Sequence, residues 1–335
     1  MKITNKYNLP DPYLNACLSE YKYTDKMYSV TTLSASSPRA AILQRRHHDE
    51  IISDCADMVW LVYGQAVHYF LEKHCTSFLE VKEGAMTYKT KNGYTLSGRF
   101  DLYNALEEKV SDWKTASVWK VTHKAWDDYR KQLLIYAFML NKMGYPCKHG
   151  ELVFLLKDYS KKDKRQDLNG SYPDYPIHVV NFDFTEEELN EVGEEIENYF
   201  INIEKLEKLS DADLPLCDKE YRTFNGADSW AVKKQGRKSA IRVFSTEEEA
   251  NEKMESLGGT YIEHRPCEEK RCKEYCSSSP FCYHFITKYA NYLVVTKEEQ
   301  TRAGFLTREE AQTFINTFEL ENSCYIKEIK RLKEI

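Results

Sequence analysis

The sequence predicts an α/β (α+β) protein, with a mixed central sheet flanked by helices and small modules at the C-terminal end. Helix-like and strand-like stretches alternate between residues 31 and 209. Residues 97–117 read as a hairpin, which only an antiparallel part of a sheet accommodates. Two later stretches repeat one strand–strand–helix–strand order. At 335 residues, 42% hydrophobic and 30% charged, the chain can bury the core of one large or two modest domains. We expect a core over residues 1–210, a cysteine-bearing region with the first module over 211–285, and the second module over 286–335.

Each element follows from its residues. TTLSASSPRAAILQRRH predicts a turn and then a helix with Pro38 in its first turn. DMVWLVYGQAVHYFLEKHC continues as a helix, with Val62, Ala66, Tyr69 and Phe70 spaced for a buried face. After the hairpin, WDDYRKQLLIYAFMLNKMG predicts a strong helix ended by Gly144 and Pro146. ELVFLLKDY and IHVVNFDF predict strands, joined by a charged loop, KKDKRQDLNGSYPDYP. An acidic helix, TEEELNEVGEEIENYFINIEKLEKL, ends near residue 209. In the repeats, WAVKKQGRKSAIRVFSTEEEANEKMESLGGTYIEHR and YLVVTKEEQTRAGFLTREEAQTFINTFELENSCYIKEIK, each helix opens on Thr-x-Glu-Glu-Ala, a Thr N-cap with an acidic first turn. KKQGRK between the first two strands suits either a phosphate contact or a solvated hairpin tip.

Composition excludes some classes. The longest apolar run near the middle, LLIYAFML, is too short to cross a bilayer. MKITNKYNLPDPY lacks the apolar stretch of a signal peptide, so cytoplasmic residence is the expectation. Ten cysteines then read as free thiols and metal ligands rather than disulfides. A net charge of −6 argues against a generally basic nucleic-acid coat but permits a local basic groove.

The chemistry-bearing residues begin with the hairpin. Asp112 and Lys114 share one strand face, because side chains alternate. A turn centred on Leu106–Glu107 puts Asp101 opposite Asp112, and one centred on Glu107–Glu108 puts it opposite Lys114. Either register gathers two carboxylates and an ammonium, and close carboxylates repel unless a cation lies between them. GQAVH supplies His68 on the preceding helix, and imidazole with carboxylates is a donor set that suits Mn²⁺ and tolerates Mg²⁺. On the following helix Gln132 and Tyr136 lie at i and i+4 on one face, suited to a phosphate or base, or to a polar edge on a packing helix.

These segments resemble the PD-(D/E)XK nuclease superfamily, in particular its RecB-like branch. GQAVH resembles the Gly-x-x-x-His helix, SGRFD the Gly-x-x-Asp strand, SDWKT the Asp-x-Lys strand and QLLIY the Gln-x-x-x-Tyr helix, in family order. The resemblance implies His68, Asp101 and Asp112 as Mg²⁺ or Mn²⁺ ligands, with the Trp113 carbonyl completing the site. It implies Lys114 as the group that positions or activates the attacking water, and Gln132 and Tyr136 as contacts to the DNA end or backbone. Asp112 stands where the family often has Glu.

CEEKRCKEYCSSSPFC holds Cys272, Cys276 and Cys282, which resemble the C-terminal cysteine triple of iron–sulfur nucleases of this branch, with a first gap of three residues rather than two. The implied cofactor is a [4Fe–4S] cluster, with structural Zn²⁺, using His284 as its fourth ligand, as the alternative. The fourth cysteine is Cys217, favoured because phage nucleases resembling this chain place such a segment before the first module; Cys267 and Cys17 are the alternatives. Cys55, Cys75, Cys147 and Cys324 read as packing residues.

The implied function is a metal-dependent DNA exonuclease, phage- or mobile-element-encoded, with DNA and a single-strand annealing protein or recombinase as partners. A CRISPR-adaptation-type end-trimming nuclease and a catalytically retired DNA-binding or assembly protein are the competing readings. Intact Asp101, Asp112 and Lys114 argue against the last. No Walker A sequence is present.

Overall fold

The computed structural model describes residues 1–18, 23–75, 80–168 and 170–329, apart from the side chains of residues 80–83. The chain forms two compact units, Met1–Ala41 with His48–Lys208, and Ile42–His47 with Leu209–Ile335. Among the described residues, no helix is long and apolar enough to cross a membrane.

In chain order the first part runs β1 (Lys2–Thr4), α1 (Asp11–Cys17), β2 (Met27–Ser29), α2 (Val30–Ala35), α3 (Pro38–Arg46), β3 (Ile52–Asp54), α4 (Val59–His74), β4 (Glu80–Lys89), β5 (Thr95–Asn104), β6 (Lys109–Ala116), α5 (Val118–Thr122), α6 (Asp127–Lys142), β7 (His149–Leu156), α7 (Lys161–Gln166), β8 (Ile177–Asp183) and α8 (Glu186–Leu206). The central sheet has the order β2-β5-β6-β7-β8, with β4 also paired to β5. β2–β5 and β6–β7 are parallel. The β4–β5, β5–β6 and β7–β8 pairs are antiparallel, so the sheet is mixed.

Helix α6 is buried at Gln132, Leu133 and every position from Ile135 to Leu140. A helix apolar all round belongs in the interior, and α6 packs on β6, β7 and α8. A capping box of Thr185 and Glu188 starts α8. The Glu188 carboxylate also accepts from Arg130 of α6 at 2.6 Å.

Three expectations need correction. The turn expected at TTLSA is helix α2, started by the Ser29 hydroxyl accepting from the Thr32 N–H. Part of the expected charged loop is helix α7, capped by Ser160. The expected buried face of α4 is only partly covered: the helix has no buried residue, Val62 packs half-buried against Cys17, Cys55 and Met58, and Tyr69 and Phe70 are each 62% exposed. Periodicity identified the helix, but periodicity cannot say whether another element covers the apolar stripe.

The second part contains α9 (Lys219–Thr223), β9 (Ser229–Lys234), β10 (Arg242–Phe244), α10 (Glu247–Glu255), β11 (Thr260–Arg265), α11 (Tyr283–Lys288), β12 (Tyr292–Thr296), β13 (Thr301–Phe305), α12 (Arg308–Thr317) and β14 (Cys324–Glu328). The two modules have one topology, β10-β9-β11 and β13-β12-β14, with the first strand in the middle. Thr246 and Thr307 each accept from a glutamate N–H three residues on, as the shared Thr-x-Glu-Glu-Ala predicted.

Candidate active site

The hairpin closes through Ala105–Glu108, pairing Leu102 with Ser111, Tyr103 with Val110 and Asn104 with Lys109. This is the register centred on Leu106–Glu107, the one that faces Asp101 towards Asp112. The ladder then stops, while β6 continues its parallel pairing with β7 as far as Ala116. Beyond the last rung, the Trp113 N–H donates to Asp101 Oδ2 at 2.7 Å, so a side chain replaces the missing strand partner. A strand residue sends its N–H and C=O to the same edge. The Trp113 carbonyl therefore also points to the side where the ladder has opened.

His68 donates through Nδ1 to Asp101 Oδ1 at 2.9 Å, which leaves Nε2 as the nitrogen able to meet a cation. This hydrogen bond outweighs burial and raises the His68 pKa. Asp112 is 3% exposed. Burial pushes its carboxyl pKa up, against the opposing pull of Lys114. The Lys114 ammonium lies 2.6 Å from Asp112 Oδ2, but that oxygen has no aligned hydrogen-bond donor among the described residues. The Lys114 pKa is raised by Asp112 in spite of burial, so the ammonium stays charged. Asp101 and Asp112 thus meet at the fork beside a single ammonium, a donor set that a hard divalent cation would complete. The donor set fits Mg²⁺ or Mn²⁺.

Gln132 and Tyr136 stand behind the ammonium. Lys114 Nζ donates to Gln132 Oε1 at 3.0 Å, and Gln132 Nε2 donates to the Tyr136 hydroxyl at 2.7 Å. Both residues are buried. They hold Lys114, and the expected contact to DNA is not the role their surroundings favour. Sequence reading missed Tyr129, whose ring centroid lies 4.9 Å from Lys114 Nζ and 4.5 Å from Lys120 Nζ. A Cβ on Gly64 would meet Thr115 Oγ1 at an ordinary 3.6 Å, whereas one on Gly98 would meet the Tyr136 ring at 2.9 Å and Val30 at 3.0 Å.

The cysteines of the second unit form a separate group. The Cys272 thiol is pushed up to about 12 by burial, with Glu269, Cys276, Cys217 and Cys282 adding to the effect, so the other three cysteines lie within electrostatic reach of Cys272. Cys267 is elsewhere: its N–H donates to Asp228, and a Cβ on Gly226 would lie 2.5 Å from its sulfur. Cys17 packs with Cys55 and Met58 in the first unit. Cys55, Cys147 and Cys324 are buried, as packing residues should be. Tetrahedral zinc, with Zn–S near 2.3 Å, brings sulfurs to about 3.8 Å apart. Among the described residues no three thiols lie within 4.8 Å of one another.

Cys272 does approach Glu269 and His284 within 4.8 Å, but Glu269 already has partners. Tyr289 and His284 donate to its Oε2 at 2.6 Å each, Lys288 lies 3.2 Å from Oε1, and Arg222 closes on the same oxygen. Burial opposes ionisation of Glu269, yet these donors win and hold it at about 2. Glu269 sits in a charge-rich run that gives no sign of this role.

No protein-family model and no curated protein matches the chain. Among solved structures it is similar to the protein SSO0001, with 17% identity, TM-score 0.41, and 57% of this chain and 83% of that one covered. It is similar to a phage-related exonuclease from Haemophilus somnus 129PT, with 13% identity, TM-score 0.29 and coverage of 50% and 82%. An alkaline exonuclease from Laribacter hongkongensis gives 11% identity, TM-score 0.34 and coverage of 54% and 89%. At these values the chemistry has to be read from the chain's own side chains.

Proposed function

We propose that the first unit is a Mg²⁺- or Mn²⁺-dependent DNA nuclease of the PD-(D/E)XK type, acting as an exonuclease. The observation that carries this is the buried Asp112, ion-paired with Lys114 at 2.6 Å, at a strand fork that also presents Asp101 and the Trp113 carbonyl. Asp101, Asp112, the Trp113 carbonyl and His68 Nε2 would hold the ion. Bound there, it supplies charge neutralisation at the scissile phosphate and a lowered pKa for a water nucleophile.

The chain's residues do the rest. Lys114 presents an ammonium to the attacking water and to a non-bridging phosphate oxygen, adding preorganised positive charge where negative charge develops. Gln132 fixes that ammonium, and Tyr136 fixes Gln132. The Asp101 carboxylate holds the imidazole of His68 in one orientation. Attack by water forms a new P–O bond, breaks the bond to the leaving sugar oxygen, and leaves that oxygen protonated.

In the second unit, Cys217, Cys272, Cys276 and Cys282 would hold a [4Fe–4S] cluster that ties the segment before α9 to the segment before α11. The electrostatic influence of Cys217, Cys276 and Cys282 on the Cys272 thiol supports this reading.

The deciding experiment is digestion of end-labelled linear and closed circular DNA with Mg²⁺ or Mn²⁺. Release of labelled nucleotides from linear DNA, with circles intact, is the expected result. Nicking of circles would replace exonuclease by endonuclease, and no hydrolysis with either ion would remove the nuclease reading.

A further inference from the structure

Helix α4 exposes Trp60, Tyr63, Tyr69 and Phe70 along its length, and Trp119 of α5 is exposed as well. Trp60 is 55% exposed, and Lys157 Nζ sits 3.7 Å from its ring centroid. The Lys157 ammonium has no carboxylate partner among the described residues. Its backbone N–H donates to the Ala116 carbonyl at the end of β6, two residues beyond Lys114. Next to it, Asp158 accepts from the Val118 N–H at 2.7 Å, anchoring the start of α5. Trp119 follows, 56% exposed and stacked on His123 at 4.7 Å. Lys120, paired with Asp128 at 3.2 Å, shares the Tyr129 ring with Lys114.

Trp60 and Trp119 are thus both tied to the C-terminal ends of the parallel strands β6 and β7, the edge at which α/β sheets bind ligands. We infer that Trp60, with the Lys157 ammonium on its ring, and Trp119 form a stacking platform for unpaired DNA bases, so that the substrate enters the fork as a single strand or a frayed end. This rests on the nuclease reading above.

The charge and the geometry select this occupant. A protein partner would cover the tryptophans but would leave the Lys157 ammonium without a counter-charge unless it supplied one. A DNA strand supplies a phosphate beside every base. Bases in a duplex are already stacked on one another, whereas unpaired bases offer free π-faces to aromatic side chains. The same helix that carries Trp60 carries His68 two turns further on.

The test is binding rather than turnover. Fluorescence anisotropy with a labelled oligo-dT in EDTA reads affinity without metal. Trp60→Ala and Trp119→Ala should each weaken binding on the order of 10-fold, and Trp60→Phe should restore most of the loss. The slope of log affinity against log salt should be unchanged in the tryptophan variants and shallower in Lys157→Ala, because only the lysine contact releases counterions.

Unchanged affinity in the Trp60→Ala/Trp119→Ala double variant overturns the platform. An equal loss with a blunt duplex also overturns it, since that would mean contact with the backbone rather than with bases. If the tryptophan losses are seen but wild-type protein hydrolyses no DNA with Mg²⁺ or Mn²⁺, the platform stands and the nuclease reading falls.

Discussion

Asp112 and Glu269 are both buried carboxylates, one in each unit, and the protein treats them in opposite ways. Glu269 receives hydrogen bonds or close charges from Tyr289, His284, Lys288 and Arg222, and its pKa is held at about 2. Asp112 has the Lys114 ammonium as its one close partner, and burial raises its pKa. Glu269, held by four charged or hydroxyl donors, serves as a structural tie. A buried carboxylate with a raised pKa beside a second carboxylate is the arrangement that marks a site.

The largest test of this contrast removes the Asp112 carboxylate. Asp112→Asn should lower DNA hydrolysis by at least about 10³-fold, because it withdraws charge from the ion and its water. Mn²⁺ should raise the Tm of wild-type protein but not of this variant, as expected when only the folded wild type binds the ion. Hydrolysis at the wild-type rate by Asp112→Asn would show that the buried Asp112 carboxylate is incidental.

A nearly equal effect is expected at the cysteines. Anaerobically purified protein should be brown and contain iron and sulfide, and Cys217→Ser or Cys272→Ser should bleach it. Cys267→Ser should not. Proteolysis of bleached protein should begin in the second unit, since metal ligation closes its loops. Colourless protein with stoichiometric zinc would remove the iron–sulfur reading and keep the tie.

Glu269→Gln should do the reverse of Asp112→Asn. The second unit should lose about 2 kcal/mol in urea unfolding, because two cations lose their counter-charge, while hydrolysis by the first unit persists. The pH dependence has a defined sign. Glu269 has a depressed folded pKa, so its contribution is present above the unfolded value near 4.3 and is lost as pH falls towards about 2. Wild-type protein should show this acid loss and Glu269→Gln should not. A matching acid profile in both proteins would place the titration elsewhere.

The smallest effects separate the two glycines near the fork. Gly98→Ala should cost about 1–3 kcal/mol by forcing the Tyr136 ring off its place, with Lys114 losing its support through Gln132. Gly64→Ala, in mid-helix with room for a methyl group, should be neutral or stabilising by up to about 1 kcal/mol. Comparable losses in both would mean that α4 approaches β6 more closely than the 3.6 Å contact indicates.

Much of the molecule was legible locally. The capped repeat helices, the hairpin, the buried α6 and the Asp-x-Lys strand follow from side-chain period and from short-range hydrogen bonding, and both are properties of neighbours in the chain. His68, Asp101, Asp112 and Lys114 could be gathered on paper for the same reason, since α4, β5 and β6 follow one another closely.

Tertiary structure decided everything that depends on which surface meets which. It chose one hairpin register of two, and it ended the β5–β6 ladder at Leu102–Ser111, which freed the Trp113 N–H for Asp101. It turned Gln132 and Tyr136 inward to hold Lys114, put Cys217 and not Cys267 beside Cys272, and left the aromatic stripe of α4 uncovered. Periodicity in a sequence records which residues of an element prefer to be buried together. Whether they are buried, and against what, is settled by packing between segments far apart in the chain, and that information is not carried by any one segment.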